Sequence, residues 1–162
     1  ETKLKADKIL IKDKKNLIIR TNFFGIGTKK KLTFSDEIIY KKKEVSLWNN
    51  IFFSPVYFGI LVDILNNLIN FKCRGIYHVS SNECISKYHL GKKILKKFRL
   101  KKTLIPNKFD RNIFINRPLN MCLSNSKLLK KFPKFKKKLN IDYQLDLYKR
   151  DIIKKTKKKR CL

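Results

Sequence analysis

Lys3, the run Arg20-Thr21-Asn22-Phe23-Phe24-Gly25, Ser54-Pro55 and Arg117-Pro118 are the residues of this chain whose types could do chemistry. A lysine ammonium one helical turn from a phenol favours the phenolate and suits it to proton exchange. Taken alone, Lys3 near the start of a lysine-rich chain reads as a solvated charge. The run from Arg20 follows a short apolar stretch, Leu17 to Ile19, and a loop at the carboxyl end of a central strand lies where open α/β sheets bind their ligands. Arg117 carries a planar fork that matches phosphate oxygens bidentately, although a bare Arg-Pro pair carries no weight by itself. Gly25-Ile26-Gly27 is not a dinucleotide fingerprint, because the third glycine is missing and Lys29-Lys30-Lys31 follows in place of an apolar helix.

The elements that must position these groups follow from periodicity. Leu4, Ile9 and Leu10 continue a helix that ends near Asp13-Lys14-Lys15, and Leu17 to Ile19 is too short an apolar run for anything but a strand. A helix is expected from Phe34 to Lys43, and a strand over Glu44 to Trp48, turned by Asn49-Asn50. From Val56 to Ile69 the residues Ile60, Leu61, Ile64, Leu65 and Leu68 share one helical face. Gly75 to Val79 reads as a strand. Ser86 to Arg99 reads as a helix with Leu90, Ile94, Leu95 and Phe98 inward. Ser126 to Phe132 is a short helix stopped by Pro133, with Asn125 placed to cap it. Tyr143 to Ile153 is the last helix. The tail Lys154 to Arg160 is expected to be disordered, since its like charges repel and it has little to bury.

Composition narrows the class. The 162 residues hold 41 Lys plus Arg against 12 Asp plus Glu, a formal charge of +29. Such an excess suits a polyanion partner, but lysine here far outnumbers arginine and travels with Ile, Asn and Phe, the residues of A- and T-rich codons. Aromatics that follow buried periodicities speak against a specific nucleic-acid surface. Cys73, Cys84, Cys122 and Cys161 show neither a disulfide framework nor zinc-ligand spacing, so no metal site is expected and a reducing, cytoplasmic setting is. The longest apolar stretch, Ile51 to Leu65, is interrupted and too short to span a bilayer.

Four segments, in order, carry a resemblance. They are Glu1-Thr2-Lys3-Leu4-Lys5-Ala6-Asp7 with the strand and loop after it, Phe53-Ser54-Pro55-Val56-Tyr57, Gly75-Ile76-Tyr77-His78-Val79 with Ser86-Lys87-Tyr88, and Asn116-Arg117-Pro118-Leu119-Asn120 running to Leu123-Ser124-Asn125-Ser126-Lys127-Leu128. Together they resemble the C-terminal half of the extended short-chain dehydrogenase/reductases, within them the dTDP-4-dehydrorhamnose reductase-like sugar-nucleotide reductases. The resemblance implies an α/β fold, the C-terminal part of a Rossmann-like sheet with a small mixed α/β substrate-binding domain. Residues 1–30 would close the coenzyme domain, 31–150 would form most of the substrate part with a returning strand near 75–79, and 151–162 would be the basic tail. It implies NADPH or NADH as cofactor and a nucleotide-diphosphate sugar as substrate, with a homodimer as a further option.

The residue roles come with the resemblance. Lys3 would be catalytic and hold the nicotinamide ribose, its tyrosine lying four positions before it, off the front of this chain. Thr21 and Asn22 would lie against the nicotinamide. Phe23, Phe24 and Ser54 would line the sugar pocket, and Arg117 would grip the diphosphate. Asn50, Ile51, Phe53 and Ile60 depart from the pattern of the rhamnose-forming enzymes and remove polar groups on the substrate side. The chain alone, lacking the glycine-rich turn and the proton donor, is expected to be inactive. A non-catalytic sugar-nucleotide-binding protein of the same fold is the alternative, and a basic nucleic-acid-binding protein the third option.

Overall fold

The apolar run after Lys15 becomes strand β1 (Leu17–Phe24) in the computed structural model, which describes residues 2–27, 32–41, 44–110 and 118–160, and only the backbone of residues 3 and 157–160. Helix α1 (Thr2–Leu10) precedes it. Then come α2 (Phe34–Tyr40), β2 (Val45–Trp48), β3 (Phe52–Phe53), β4 (Pro55–Tyr57), α3 (Phe58–Asn70) and β5 (Gly75–Val79). The order continues with β6 (Ile85–Ser86), α4 (Lys87–Phe98), β7 (Leu104–Asn107), β8 (Asn120–Met121), α5 (Ser126–Lys131), a 3-10 turn over Pro133–Phe135, and α6 (Ile141–Arg160).

The main sheet is parallel, in the order β4-β1-β5, with Asn22 opposite Pro55 and Thr21 opposite Val79. Parallel neighbours need long crossovers, and helices in those crossovers cover the sheet faces. Two smaller sheets complete the architecture: β2 beside β7 in parallel, and β6-β3-β8, in which β3 runs antiparallel to β6 and parallel to β8. The apolar faces expected from periodicity are the buried ones. Ile60, Leu61, Ile64 and Leu68 of α3 and Leu90 and Ile94 of α4 are buried, while Leu65, Leu95 and Phe98 pack against the core part-buried. Gly91 lets α4 approach closely, since a Cβ there would meet Leu47 Cδ1 at 2.6 Å and Leu104 Cδ1 at 3.0 Å. Thr33 and Asp36 form a reciprocal capping box at the start of α2.

Four element and cysteine expectations give way. The helix expected from Phe34 to Lys43 ends at Tyr40, with Lys41 extended. The helix read from Val56 starts at Phe58, because Val56 and Tyr57 are taken into β4 beside Phe23 and Phe24. The basic tail is not disordered over Lys154 to Arg160, because α6 continues to Arg160. Its late turns have something to hold: Ile152 is buried, Tyr57 donates its hydroxyl to Asp151 at 2.7 Å, and Lys155 donates to the Gly27 carbonyl at 3.0 Å. Cys84 and Cys122 are joined in a disulfide across 38 residues, against the reading of unpaired thiols. Irregular spacing hid the pair, since only the β6-β3-β8 pairing brings the two segments together.

Helix α6 closes the core with Tyr148, fully buried, its ring centroid 5.6 Å from those of Phe24 and Tyr57 and 5.7 Å from Phe98. Burial pushes both Tyr57 and Tyr148 well above the ordinary tyrosine range, assisted by Asp151 for the first and by Asp36 for the second. The sign follows directly: above the unfolded value near 10.0 the unfolded chain releases protons that the folded chain keeps. Their contribution is therefore fully present below that pH and is lost as pH rises beyond it. Tyr148→Phe is expected to flatten the fall in thermal midpoint between about pH 9 and about pH 11, and an unchanged slope would contradict this.

Candidate substrate site at the strand ends

The carboxyl end of β1 is where the sequence puts its first site residues, and here the chain folds back on itself. The segment after Pro118 crosses β1, β4 and β5 near their ends and is held by side chains from each neighbourhood. Asn22 Nδ2 donates to the Met121 carbonyl at 2.9 Å. Leu123 N–H donates to Ser54 Oγ at 3.4 Å, and Ser80 Oγ donates to the Leu123 carbonyl at 2.8 Å. Asn125 Nδ2 donates to the Ser80 carbonyl at 3.0 Å and to Asn82 Oδ1 at 2.9 Å. A cleft of about 360 Å³ opens there, lined by Ser54, Ser81, Asn82, Cys84, Cys122 and Asn125 among others. Asn125 occupies the N-cap position of α5 as expected but makes no side-chain capping bond, and its Nδ2 donates to Ser80 and Asn82.

The expected residues separate into groups. Asn22 and Ser54 meet at this segment, each through a hydrogen bond. Thr21 is next to them on β1, and its Oγ1 is buried with no hydrogen-bond partner among the described residues. A buried hydroxyl without a partner costs free energy, so this atom is suited to a ligand that supplies one. Phe23 is 60% exposed, its ring 6.2 Å from that of the exposed Phe58. Phe24 is corrected: at 2% exposure, packed on Tyr57 and Tyr148, its ring belongs to the core and does not line an open pocket. Alternation along β1 sends neighbouring side chains to opposite faces, so only one of the two phenylalanines faces out. Lys3 sits on α1 with its side chain outside the described residues, and Arg117 also lies outside them.

Sequence reasoning missed the group that docks α1 on the sheet. Arg20 Nε and Nη2 both donate to Asp7 Oδ2, at 3.0 and 2.8 Å. Asp7 is one helical turn after Lys3, so the pair sets the helix carrying Lys3 against β1. With both partners partly exposed, its value is in orientation more than in stability. Spacing puts Lys3 and Asp7 four apart on one helix face, but it does not point to Arg20, which only the docking of α1 on β1 brings to Asp7. Asn50, one of the departures from the family pattern, holds a loop in place. It donates to the Phe109 carbonyl at 3.1 Å and accepts from the Phe109 N–H at 2.8 Å. Lys127 donates to the Ile76 carbonyl at 2.7 Å and lies 4.3 Å from the centre of the Tyr77 ring, fixing α5 beside β5. Among the described residues no three His, Cys, Asp or Glu side chains gather as metal ligands. No helix among them is long and apolar enough to cross a membrane.

This architecture has solved counterparts. A dTDP-4-dehydrorhamnose reductase from Bacillus anthracis, solved with NADP, is similar at a TM-score of 0.69 and 23% identity, over 85% of this chain and 48% of that one. A hypothetical dTDP-4-dehydrorhamnose reductase from Sulfolobus tokodaii is similar at 0.67 and 27% identity, over 80% and 46%. A Thermus thermophilus UDP-glucose 4-epimerase solved with NAD is similar at 0.60 and 17%, over 82% and 46%. The chain thus spans about half the length of these proteins. No curated protein sequence matches it. The model of the RmlD substrate binding domain matches residues 1–144, nearly the whole chain. With its parallel α/β sheet and the crossing segment at the strand ends, the chain belongs to the RmlD substrate binding domain family.

Proposed function

We propose that this chain is the substrate-side part of an NAD(P)H-dependent reductase acting on a nucleotide-linked keto-sugar. The observation that carries the reading is the convergence of Asn22 and Ser54 on the segment that leads from Arg117-Pro118 to Leu123. When bound, a nicotinamide coenzyme supplies hydride. The chain's own residues divide the remaining work. Thr21 Oγ1, buried and without a partner among the described residues, fits a hydrogen bond to the carboxamide-bearing ring of such a coenzyme. Lys3 holds a ribose hydroxyl and lowers the pKa of a tyrosine one helical turn before it, which protonates the sugar oxygen. The exposed Phe23 ring covers an apolar face of the hexose, and Arg117 grips the diphosphate. Ser54 acts by fixing the Leu123 amide. The same reading places the intact protein in the cytoplasm, as a homodimer making precursors of cell-surface polysaccharide.

Arg117 gives the test. Calorimetric titration of thymidine diphosphate into the chain is expected to show binding that Arg117→Ala weakens by about 1.5–3 kcal/mol, the range for charge-assisted hydrogen bonds. Arg117→Lys should fail to restore it, because a point ammonium cannot reproduce two parallel bonds. Equal binding by all three proteins would make the Arg-Pro segment structural and overturn the substrate-site assignment.

A further inference from the structure

Among the described cysteines, Cys73 is buried, whereas Cys84 is exposed and Cys122 half-buried on the wall of the candidate cleft. Their placement follows from the small sheet. Phe53 of β3 pairs with Ile85 on one side and Met121 on the other, and Cys84 and Cys122 each lie one residue beyond those partners, flanking Ser54. Their Cα atoms are 5.5 Å apart, within the range a disulfide needs. What the bond joins matters most. On one side is the loop before β6, tied to α4 by the Glu83–Lys93 ion pair and to the Leu139 and Lys136 carbonyls through Asn82. On the other is the segment after β8, a strand of two residues, whose further ties beside its pairing with β3 include the hydrogen bonds donated by Asn22 and Ser80, the one Leu123 donates to Ser54 and the one Asn125 donates to Ser80. A covalent tie is the stiffest restraint on that segment.

We propose that Cys84 and Cys122 form a redox-operated clamp that fixes the crossing segment when oxidised and frees it when reduced. The oxidant is a low-molecular-weight disulfide. One cysteine thiolate attacks a sulfur of that disulfide, forming a mixed disulfide and releasing one small thiolate. The second cysteine thiolate then displaces the other, so that the protein loses two electrons and two protons and two small thiols are formed. In the reverse direction a small thiolate enters at the exposed Cys84 sulfur. Release of the clamp loosens Met121 to Asn125 and with it the position of the residues leading back to Arg117. The consequence for ligand affinity rests on the nucleotide-sugar reading of this segment, while the clamp itself does not.

Hydrogen exchange on the whole chain decides it. The chain is equilibrated with oxidised glutathione or with dithiothreitol, beside Cys84→Ser and the Cys84→Ser/Cys122→Ser pair. Oxidation is expected to yield a Cys84–Cys122 peptide pair. The backbone amides of 121–123 should exchange about tenfold faster in the reduced chain, as in a locally opened segment. Both variants should exchange at the reduced rate whatever the oxidant, and reoxidation should restore the slow rate in the wild type alone. Failure of the pair to form, or equal exchange in both states, would overturn the clamp. A parallel arm adds thymidine diphosphate: tighter binding to the oxidised chain is expected. Absence of binding in either state counts against the nucleotide-sugar reading, and the exchange comparison still decides the clamp.

Discussion

Lys3→Ala, introduced into this chain after joining it to a coenzyme-binding half that ends in a tyrosine one helical turn earlier, is expected to lower turnover by on the order of 100-fold or more. Two effects combine. In the proposed role the ammonium would favour the phenolate, bring the tyrosine's pKa toward the operating range, and hold the ribose. Without it the tyrosine titrates higher, so the alkaline limb of the pH–rate profile should move up. Lys5→Ala, two residues on and off that helix face, should leave both turnover and profile unchanged. Steady-state rates across pH for the three proteins check this, and an unaltered Lys3→Ala enzyme would remove the only catalytic residue assigned to this chain.

Gln144→Met is the substitution expected to cost the fold most for its size. Gln144 is fully buried, accepts the Tyr57 N–H on Oε1 at 2.5 Å and donates from Nε2 to the Leu139 carbonyl at 3.1 Å. Methionine fills the same volume but leaves the Tyr57 N–H without its acceptor, at about 1–3 kcal/mol, while the Leu139 carbonyl keeps the Asn82 N–H at 2.9 Å. For a domain of this size that lowers the thermal midpoint by about 2–4 °C per kcal/mol. Because Tyr57 ends β4 and packs on Tyr148, the loss should appear as a cooperative shift and not as local fraying. Thermal unfolding of the two proteins is the measurement; midpoints within error of each other would show that the Tyr57 N–H finds another acceptor.

Much of the scaffold was legible because local periodicity and burial agree. The faces of α3 and α4, strand β5 and the stop at Pro133 follow from residues a few positions apart. What was not legible depends on partners distant in sequence. Val56 and Tyr57 read as the start of a helix until Phe23 and Phe24 are beside them. The basic end of α6 reads as disordered until Tyr57 and Gly27 supply partners 94 and 128 residues away. Cys84 and Cys122 have no meaning as a pair without β3 between their segments. At the site, the short motifs located Asn22 and Ser54, but their shared role in holding the 121–123 backbone, and the Asp7–Arg20 link below Lys3, required the fold. Phe23 and Phe24 could not be told apart in sequence, since either phase of the strand satisfies the pattern.

The measurement that bears most directly on the reductase reading is NADPH oxidation by this chain joined to a coenzyme-binding half carrying the glycine-rich turn and the tyrosine, with a nucleotide-linked 4-keto-sugar as substrate. Coenzyme absorbance is expected to fall only when the keto-sugar is present, a reduced sugar nucleotide should form in equal amount, and the present chain alone should give no turnover. Binding of the sugar nucleotide by the joined protein without any oxidation of NADPH would contradict that reading, and would make this a binding protein built on a reductase fold.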